Sequence, residues 1–311
     1  MTEESVREGG WLRLLGLLAL TLTLAVGQPF ILVIVAFAML TFLAPGGRIL
    51  VLLLTAGAFA AVFAGGASEG LWYLERGWAI LVGGWFVAFS LLLPGRPFLA
   101  RALLALLGSI VSVGGIFAVL GGWNTVETVV AERVEVSMTA TLQLMNALAE
   151  GDLQVGLTEA LSTTARVQGV LFPALLGLSS LASLGVAWWL HVRVSPLEGP
   201  GLGPFREFRF PDPLIWIFIS GLGLVLVAGW SVGWGRLGMN LVAFMGALYV
   251  LRGVAVLIVL WGGFSFMGGL LLTLALVLAG PLVALGVMLV GVGDSWFDLR
   301  ARAERHGPAA Q

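Results

Sequence analysis

Phe205-Arg206-Glu207-Phe208-Arg209-Phe210-Pro211-Asp212-Pro213 is a charged, aromatic island in an apolar chain. One apolar run ends before it near Trp189, and another begins directly after it at Leu214. That layout suits a membrane protein, in which each helical crossing needs about 20 apolar residues and the turns between crossings are wet. Pro211 and Pro213 restrict the backbone and lack N–H donors, so the island turns before the next helix starts. It reads as a hinge with aromatic anchors at the headgroup level.

Composition agrees with this reading across the whole chain. The 311 residues are 59% hydrophobic and 11% charged, with a mean hydropathy of +1.04. Soluble domains carry about 25% charged residues, and their surfaces do not hide this much Leu, Val, Ala and Phe. The net charge of -1 gives no electrostatic basis for nucleic-acid binding. Without cysteine, disulfides, thiol catalysis and thiolate metal sites are excluded. His191 and His306 lie far apart in sequence, so no metal site is expected. All 16 basic residues are arginine. Ala, Gly, Val and Leu are also abundant, so this wholesale use reflects base composition rather than site design.

Working outward from the island, hydropathy defines nine apolar segments. The run from Trp11 to Ala44 is broken at Gly27-Gln28-Pro29 into two short helices. A turn at Pro45-Gly46-Gly47-Arg48 precedes a third segment, Ile49 to Gly65. A wet loop is expected from Ala67 to Arg76, with Trp72, Tyr73 and Trp78 as an interfacial belt. The fourth and fifth segments are Trp78 to Leu93 and Ala102 to Gly121. Gly83-Gly84 and Gly114-Gly115 are expected at close helix crossings. Residues 123–166 then alternate apolar and charged positions at intervals of three and four, an amphipathic helix broken at Gly151-Asp152. A second amphipathic piece from Leu153 runs into the sixth segment, Val170 to Leu190. After the island come Leu214 to Trp230, a short turn from Ser231 to Gly238, and the block Asn240 to Gly293. That block holds two helices turning at Gly262-Gly263, with a kink or split expected at Gly280-Pro281.

The expected fold is therefore an all-α polytopic transmembrane helix bundle of 8–9 spans with an amphipathic helical insertion. Its parts are N-terminal transmembrane helices in residues 1–122, an extracytoplasmic insertion in 123–168, C-terminal transmembrane helices in 169–293 and a charged cytoplasmic tail in 294–311. A cytoplasmic N-terminus puts Arg48, Arg96, Arg101, Arg193, Arg206 and Arg209 inside, as the positive-inside bias requires. Nine crossings would then put Arg300, Arg302 and Arg305 outside, against that bias. An even number of crossings with both ends cytoplasmic is expected, in a bacterial inner membrane.

Few residues carry candidate chemistry. There is no P-loop, no zinc-binding H-E-x-x-H and no nucleophile elbow, so neither an enzyme nor a cofactor is expected. Arg252 lies mid-way along an apolar run, where a charge costs about 2.5–3.5 kcal/mol. It should face the bundle interior. Tyr249 sits three residues before it on the same face, and Asn240 opens the same helix. Arg252, Tyr249 and Asn240 are the candidate ligand site; a structural ion pair of Arg252 with Asp294 or Glu69 is the alternative. Asp294, Asp298, Arg300 and Arg302 mark a juxtamembrane helix end, with Asp298 and Arg302 spaced as an i,i+4 pair. Phe205, Arg206, Glu207, Phe208 and Arg209 form a candidate partner or interface loop. Glu69, Glu75 and Arg76 are expected in a solvated loop.

Phe205-Arg206-Glu207-Phe208-Arg209-Phe210-Pro211, then Asn240, Arg252-Gly253, Gly291, Asp294, Asp298 and Arg300 resemble the motifs of the YybS-type family of bacterial polytopic membrane proteins. The likeness is strongest over about the last hundred residues; before residue 200 it is a shared hydropathy layout. Arg252 departs from the smaller or amide side chain expected in that motif. That family is similar in architecture to the substrate-binding membrane components of energy-coupling-factor vitamin transporters and to the rod-shape protein MreD. The first similarity implies a small-molecule-binding, transporter-like component. That is the leading expectation; the second similarity implies the alternative, a non-catalytic scaffold of envelope or cell-shape organisation. The expected partners are the lipid bilayer and either a small-molecule ligand or a membrane or cytoplasmic protein.

Overall fold

A computed structural model describes residues 29–43, 49–64, 70–120, 128, 153–195, 201–231, 233–261 and 266–306. The first hydrophobic segment, the turn at Pro45–Arg48, Glu69, the insertion from 129 to 152 and the turn at Gly262-Gly263 lie outside the described residues. All regular elements among the described residues are helical. They fall into two compact units, Met1–Leu202 and Gly203–Gln311.

The first unit contains α1 (Pro29–Leu43), α2 (Ile49–Phe63), α3 (Gly70–Leu92), α4 (Phe98–Leu120) and α5 (Leu153–Val194). α1 is its centre, packing against α2, α3 and α5. Val35, Ala36 and Ala38 of α1 are fully buried, as are Val82 and Phe86 of α3 and Leu184 and Ala187 of α5. Lipid supplies no hydrophobic drive between helices, so small residues and interhelical hydrogen bonds hold such bundles together. Trp78 Nε1 donates to Ser180 Oγ at 3.0 Å, and Trp85 Nε1 donates to Ser112 Oγ at 3.0 Å. α5 has 42 residues, about 63 Å at 1.5 Å per residue. It runs unbroken through residues 168 and 169 and through Pro173, as the expected run from Leu153 into the sixth segment requires.

The second unit contains short 3₁₀ turns at Phe205–Glu207 and Asp212–Leu214, then α6 (Ile215–Ala228), α7 (Gly233–Leu260), α8 (Phe266–Phe297) and α9 (Leu299–His306). α7 packs against both α6 and α8. α8 remains helical through Gly280-Pro281, so the helix is not split there. Among the described residues, four helices are long and apolar enough to cross a membrane, with spans Trp72–Leu92, Phe98–Val119, Arg166–Val194 and Gly233–Leu260. Shorter apolar helices cover Pro29–Leu43, Ile49–Phe63, Asp212–Ala228 and Leu282–Phe297. The protein is an all-α membrane helix bundle.

Three boundaries differ from the sequence expectation because polar residues were assigned to loops. α3 begins at Gly70, so Trp72, Tyr73, Glu75 and Arg76 are helical. Arg76 is half-buried rather than solvated. Its Nε donates to Val62 O of α2 at 2.7 Å, and its guanidinium lies 4.1 Å from the Trp72 ring centre. It caps a helix end whose carbonyls lack intrahelical donors. Arg76→Ala is expected to cost about 1–2 kcal/mol, measured by reversible SDS unfolding in mixed micelles; a change below a few tenths would remove the capping role. α4 begins at Phe98, which places Arg101 inside the helix. α7 begins at Gly233, so Trp234 and Arg236 are helical and not in a turn.

The glycines also separate in ways that composition does not show. A Cβ on Gly83 would contact Met39, Ala36 and Val35 of α1, so this glycine does mark a close crossing. Gly84, Gly114 and Gly115 face open space. Gly108 matters instead, because a Cβ there would sit 2.8 Å from the Trp85 indole.

Candidate functional site

Tyr249, Arg252 and Gly253 share one face of α7, spaced three and four residues apart. Gly291 and Asp294, three apart, do the same on α8. The two faces meet where both helices lack a Cβ. A Cβ on Gly253 would strike the Val287 carbonyl, and one on Gly291 would strike the Tyr249 carbonyl. This contact between helix backbones carries Arg252 to Asp294, whose Oδ2 accepts from Arg252 Nε at 2.9 Å.

A second arginine reaches the same oxygen. Asp298 has a positive φ of 42°, the left-handed conformation that Asp and Asn tolerate better than most residues. It separates α8 from α9, which packs against α7. Arg300 Nη2 donates to Asp294 Oδ2 at 2.7 Å. Its Nη1 donates to Arg206 O at 3.0 Å and Phe208 O at 3.1 Å. The buried guanidinium thus binds the backbone of the Phe205–Pro213 stretch.

That stretch closes the cluster. Arg252 Nη1 donates to Asp212 Oδ1 at 3.0 Å, and Arg209 pairs with Asp298 at 2.8 Å. The rings of Phe205, Phe208, Phe210, Tyr249 and Phe218 contact in sequence, with centroid separations from 5.0 to 6.2 Å. Phe210 is buried, and Arg252 lies 5.4 Å from its ring centre. The expected hinge is instead clamped through ring contacts, two ion pairs and two bonds to main-chain carbonyls.

Arg252 is 3% exposed, and Asp294 and Arg300 are equally enclosed. Two guanidinium groups face two carboxylates, so the cluster is neutral. In low-dielectric surroundings an unpaired charge here would be costly. Four polar atoms of this cluster nevertheless have no hydrogen-bond partner among the described residues: Tyr249 Oη, Asp294 Oδ1, Ser295 Oγ and Arg300 Nε. Ser295 is a polar neighbour of the Tyr249 hydroxyl.

The structure unites Tyr249 and Arg252 with Asp294 and Arg300, and the Arg252–Asp294 pair is the structural ion pair that the sequence offers as the alternative to a ligand site. Asn240 does not join them. It lies twelve residues before Arg252, about 18 Å along α7, and its Nδ2 donates to Arg236 O. Asp298 interrupts the helix and takes Arg209 as its ion-pair partner, which corrects the expected Asp298–Arg302 helix pair. Arg206 and Glu207 project outward, with side chains 68% and 66% exposed. Sequence reasoning missed Asp212 as the second partner of Arg252, although its place between two prolines marks a fixed backbone. It also missed Ser295, which carries no local signal.

The residues quoted for the family resemblance are, apart from Asn240, those that build this cluster. No curated protein and no solved structure matches the chain. A family described as "Predicted membrane protein (DUF2232)" matches residues 12–295, and the chain belongs to it.

Proposed function

We propose that this chain is a non-catalytic membrane scaffold whose second unit presents a fixed loop to a protein partner. The observation that carries this is the state of Arg252, enclosed and ion-paired with two carboxylates of its own chain. A charge neutralised in this way holds structure; it is not reserved for a ligand. The loop backbone is pinned by Arg300, while Arg206 and Glu207 point away from the protein. A preordered surface loses less entropy on docking. The positive-inside bias places this loop, and both termini, on the cytoplasmic side of a bacterial inner membrane. The resemblance to MreD supports the same role.

A second reading, a small-molecule-binding, transporter-like component, is favoured by the four unpartnered polar atoms around Tyr249. A small polar ligand would satisfy them. The resemblance to energy-coupling-factor components supports that alternative. A photocrosslinker placed at the neighbouring exposed Phe205 in cells, with mass spectrometry of the purified chain, separates the two. A single protein captured by the native loop, and lost with Arg206→Glu plus Glu207→Arg, is the expected result. A metabolite that co-purifies and is lost with Tyr249→Phe, without such capture, overturns the scaffold proposal in favour of the second.

A further inference from the structure

Arg101 occupies the first turn of α4, where an arginine ordinarily extends its head group to interfacial water. This one is turned inward and is 2% exposed, with its guanidinium 4.3 Å from the centre of the Trp188 ring. Trp188 also contacts Phe86 and the buried His191. Among the described residues, the enclosed Arg101 Nε and Nη2 both lack a hydrogen-bond partner. These nitrogens form one edge of the guanidinium, the fork that binds a phosphate or carboxylate through two parallel bonds.

The described surroundings hold no carboxylate to fill that fork. Residues 77–120 and 166–195 contain no Asp or Glu, and neither do α1 and α2. Glu75 lies eleven residues before Phe86 on α3, about 16 Å away along the helix. The neighbouring charges are cationic: Arg96 in the turn before α4, and Arg193 over Trp189 at 4.3 Å. Below Arg101 on α4, Leu104 and Leu107 are exposed, as Leu91 and Leu92 are at the end of α3. A buried cation without a carboxylate among the described residues, on helices that also expose apolar side chains, calls for an anion that carries its own hydrocarbon.

We propose that Arg101, seated on Trp188, is a receptor for a phosphate oxyanion, supplied by the headgroup of an anionic membrane lipid. The Nε–Nη2 edge is enclosed, so the side chains over it part as the phosphate takes it, and the acyl chains lie along the exposed leucines of α3 and α4. Arg193 adds long-range attraction only.

The full chain, purified and stripped of lipid in mild detergent, is titrated with phosphatidylglycerol, with diacylglycerol of the same acyl chains, and with inorganic phosphate. Retention is read by native mass spectrometry and thermal stability in parallel. Phosphatidylglycerol is expected to bind and stabilise, and diacylglycerol is not. Arg101→Gln should bind phosphatidylglycerol about tenfold more weakly, as for loss of a charge-assisted bidentate contact. Arg193→Gln should stay close to the native chain. Where Arg101→Gln fails to fold, Arg101→Lys is read instead; it keeps the charge, loses the fork and should lose the preference for phosphatidylglycerol over diacylglycerol. Equal binding of these two lipids by the native chain overturns the proposal whatever the variants do. Inorganic phosphate that reproduces the stabilisation and displaces phosphatidylglycerol overturns the lipid assignment and makes this a free-phosphate site.

Discussion

Asp294→Ala is expected to destabilise the second unit by about 3–5 kcal/mol, the range for removing one partner from a buried ion network. The loss is large because one oxygen, Oδ2, serves both Arg252 and Arg300. Removing it leaves Arg300 enclosed without a carboxylate and Arg252 with only the exposed Asp212. Asp212→Ala should cost far less, about 1 kcal/mol or below, because its side chain is 64% exposed and solvent screens the pair. Replacing the whole group with Arg252→Met, Asp294→Leu and Arg300→Met should recover much of the stability, since apolar packing avoids the desolvation penalty. Reversible SDS unfolding measures the series. The native chain has no cysteine, so Phe210→Cys also reports on the loop by its labelling rate. Labelling should be slow in the native background and rapid with Asp294→Ala. If Asp294→Ala costs less than Asp212→Ala, or leaves labelling slow, the buried network does not hold the loop.

Gly253→Ala and Gly291→Ala are expected to cost about 1–3 kcal/mol each, as for overpacking a filled interface. The direction is informative because alanine is otherwise the better helix former by about 1 kcal/mol. At Gly253 and Gly291 the added methyl would meet backbone carbonyls of the facing helix, which cannot rotate aside. The helices must separate, and the distance between Arg252 and Asp294 grows with them. Gly286, on the same α8, faces open space, and Gly286→Ala should be neutral or slightly stabilising. The same unfolding measurement ranks the three. A Gly253→Ala variant as stable as Gly286→Ala would show that α7 and α8 do not cross in contact there.

Much of the membrane architecture was legible from hydropathy. Pro29 opens α1, the turn after Leu93 holds Pro94 and Gly95, and α7 and α8 end and begin on either side of Gly262-Gly263. The interior position of Arg252 was legible too, because a charge in the middle of an apolar run has few alternatives. Helix starts were less legible. Gly70 to Arg76 and Gly233 to Gly238 carry polar or glycine-rich sequence that resembles a loop, yet they are first turns of helices. Tertiary contacts override weak local preference, as the bond from Arg76 to the end of α2 illustrates.

By itself the sequence determined the class of this protein, an all-α membrane bundle, and marked Phe205–Pro213, Arg252, Asp294 and Arg300 as chemically unusual. Those are statements about each residue's solvent and its near neighbours, and transfer free energy is local and nearly additive along a chain. Only the tertiary structure decided that Asp294 and Asp212 are the partners of Arg252, 42 and 40 residues away. It likewise separated Asn240 from that group, distinguished the packing of Gly253 and Gly291 from the openness of Gly114 and Gly115, and turned Arg101 inward. These depend on which helix faces meet and how closely. The approach of two backbones is set by paired surfaces far apart in sequence, and no local periodicity encodes it. The Phe205–Pro213 stretch is therefore a turn by its prolines and a clamp by its contacts.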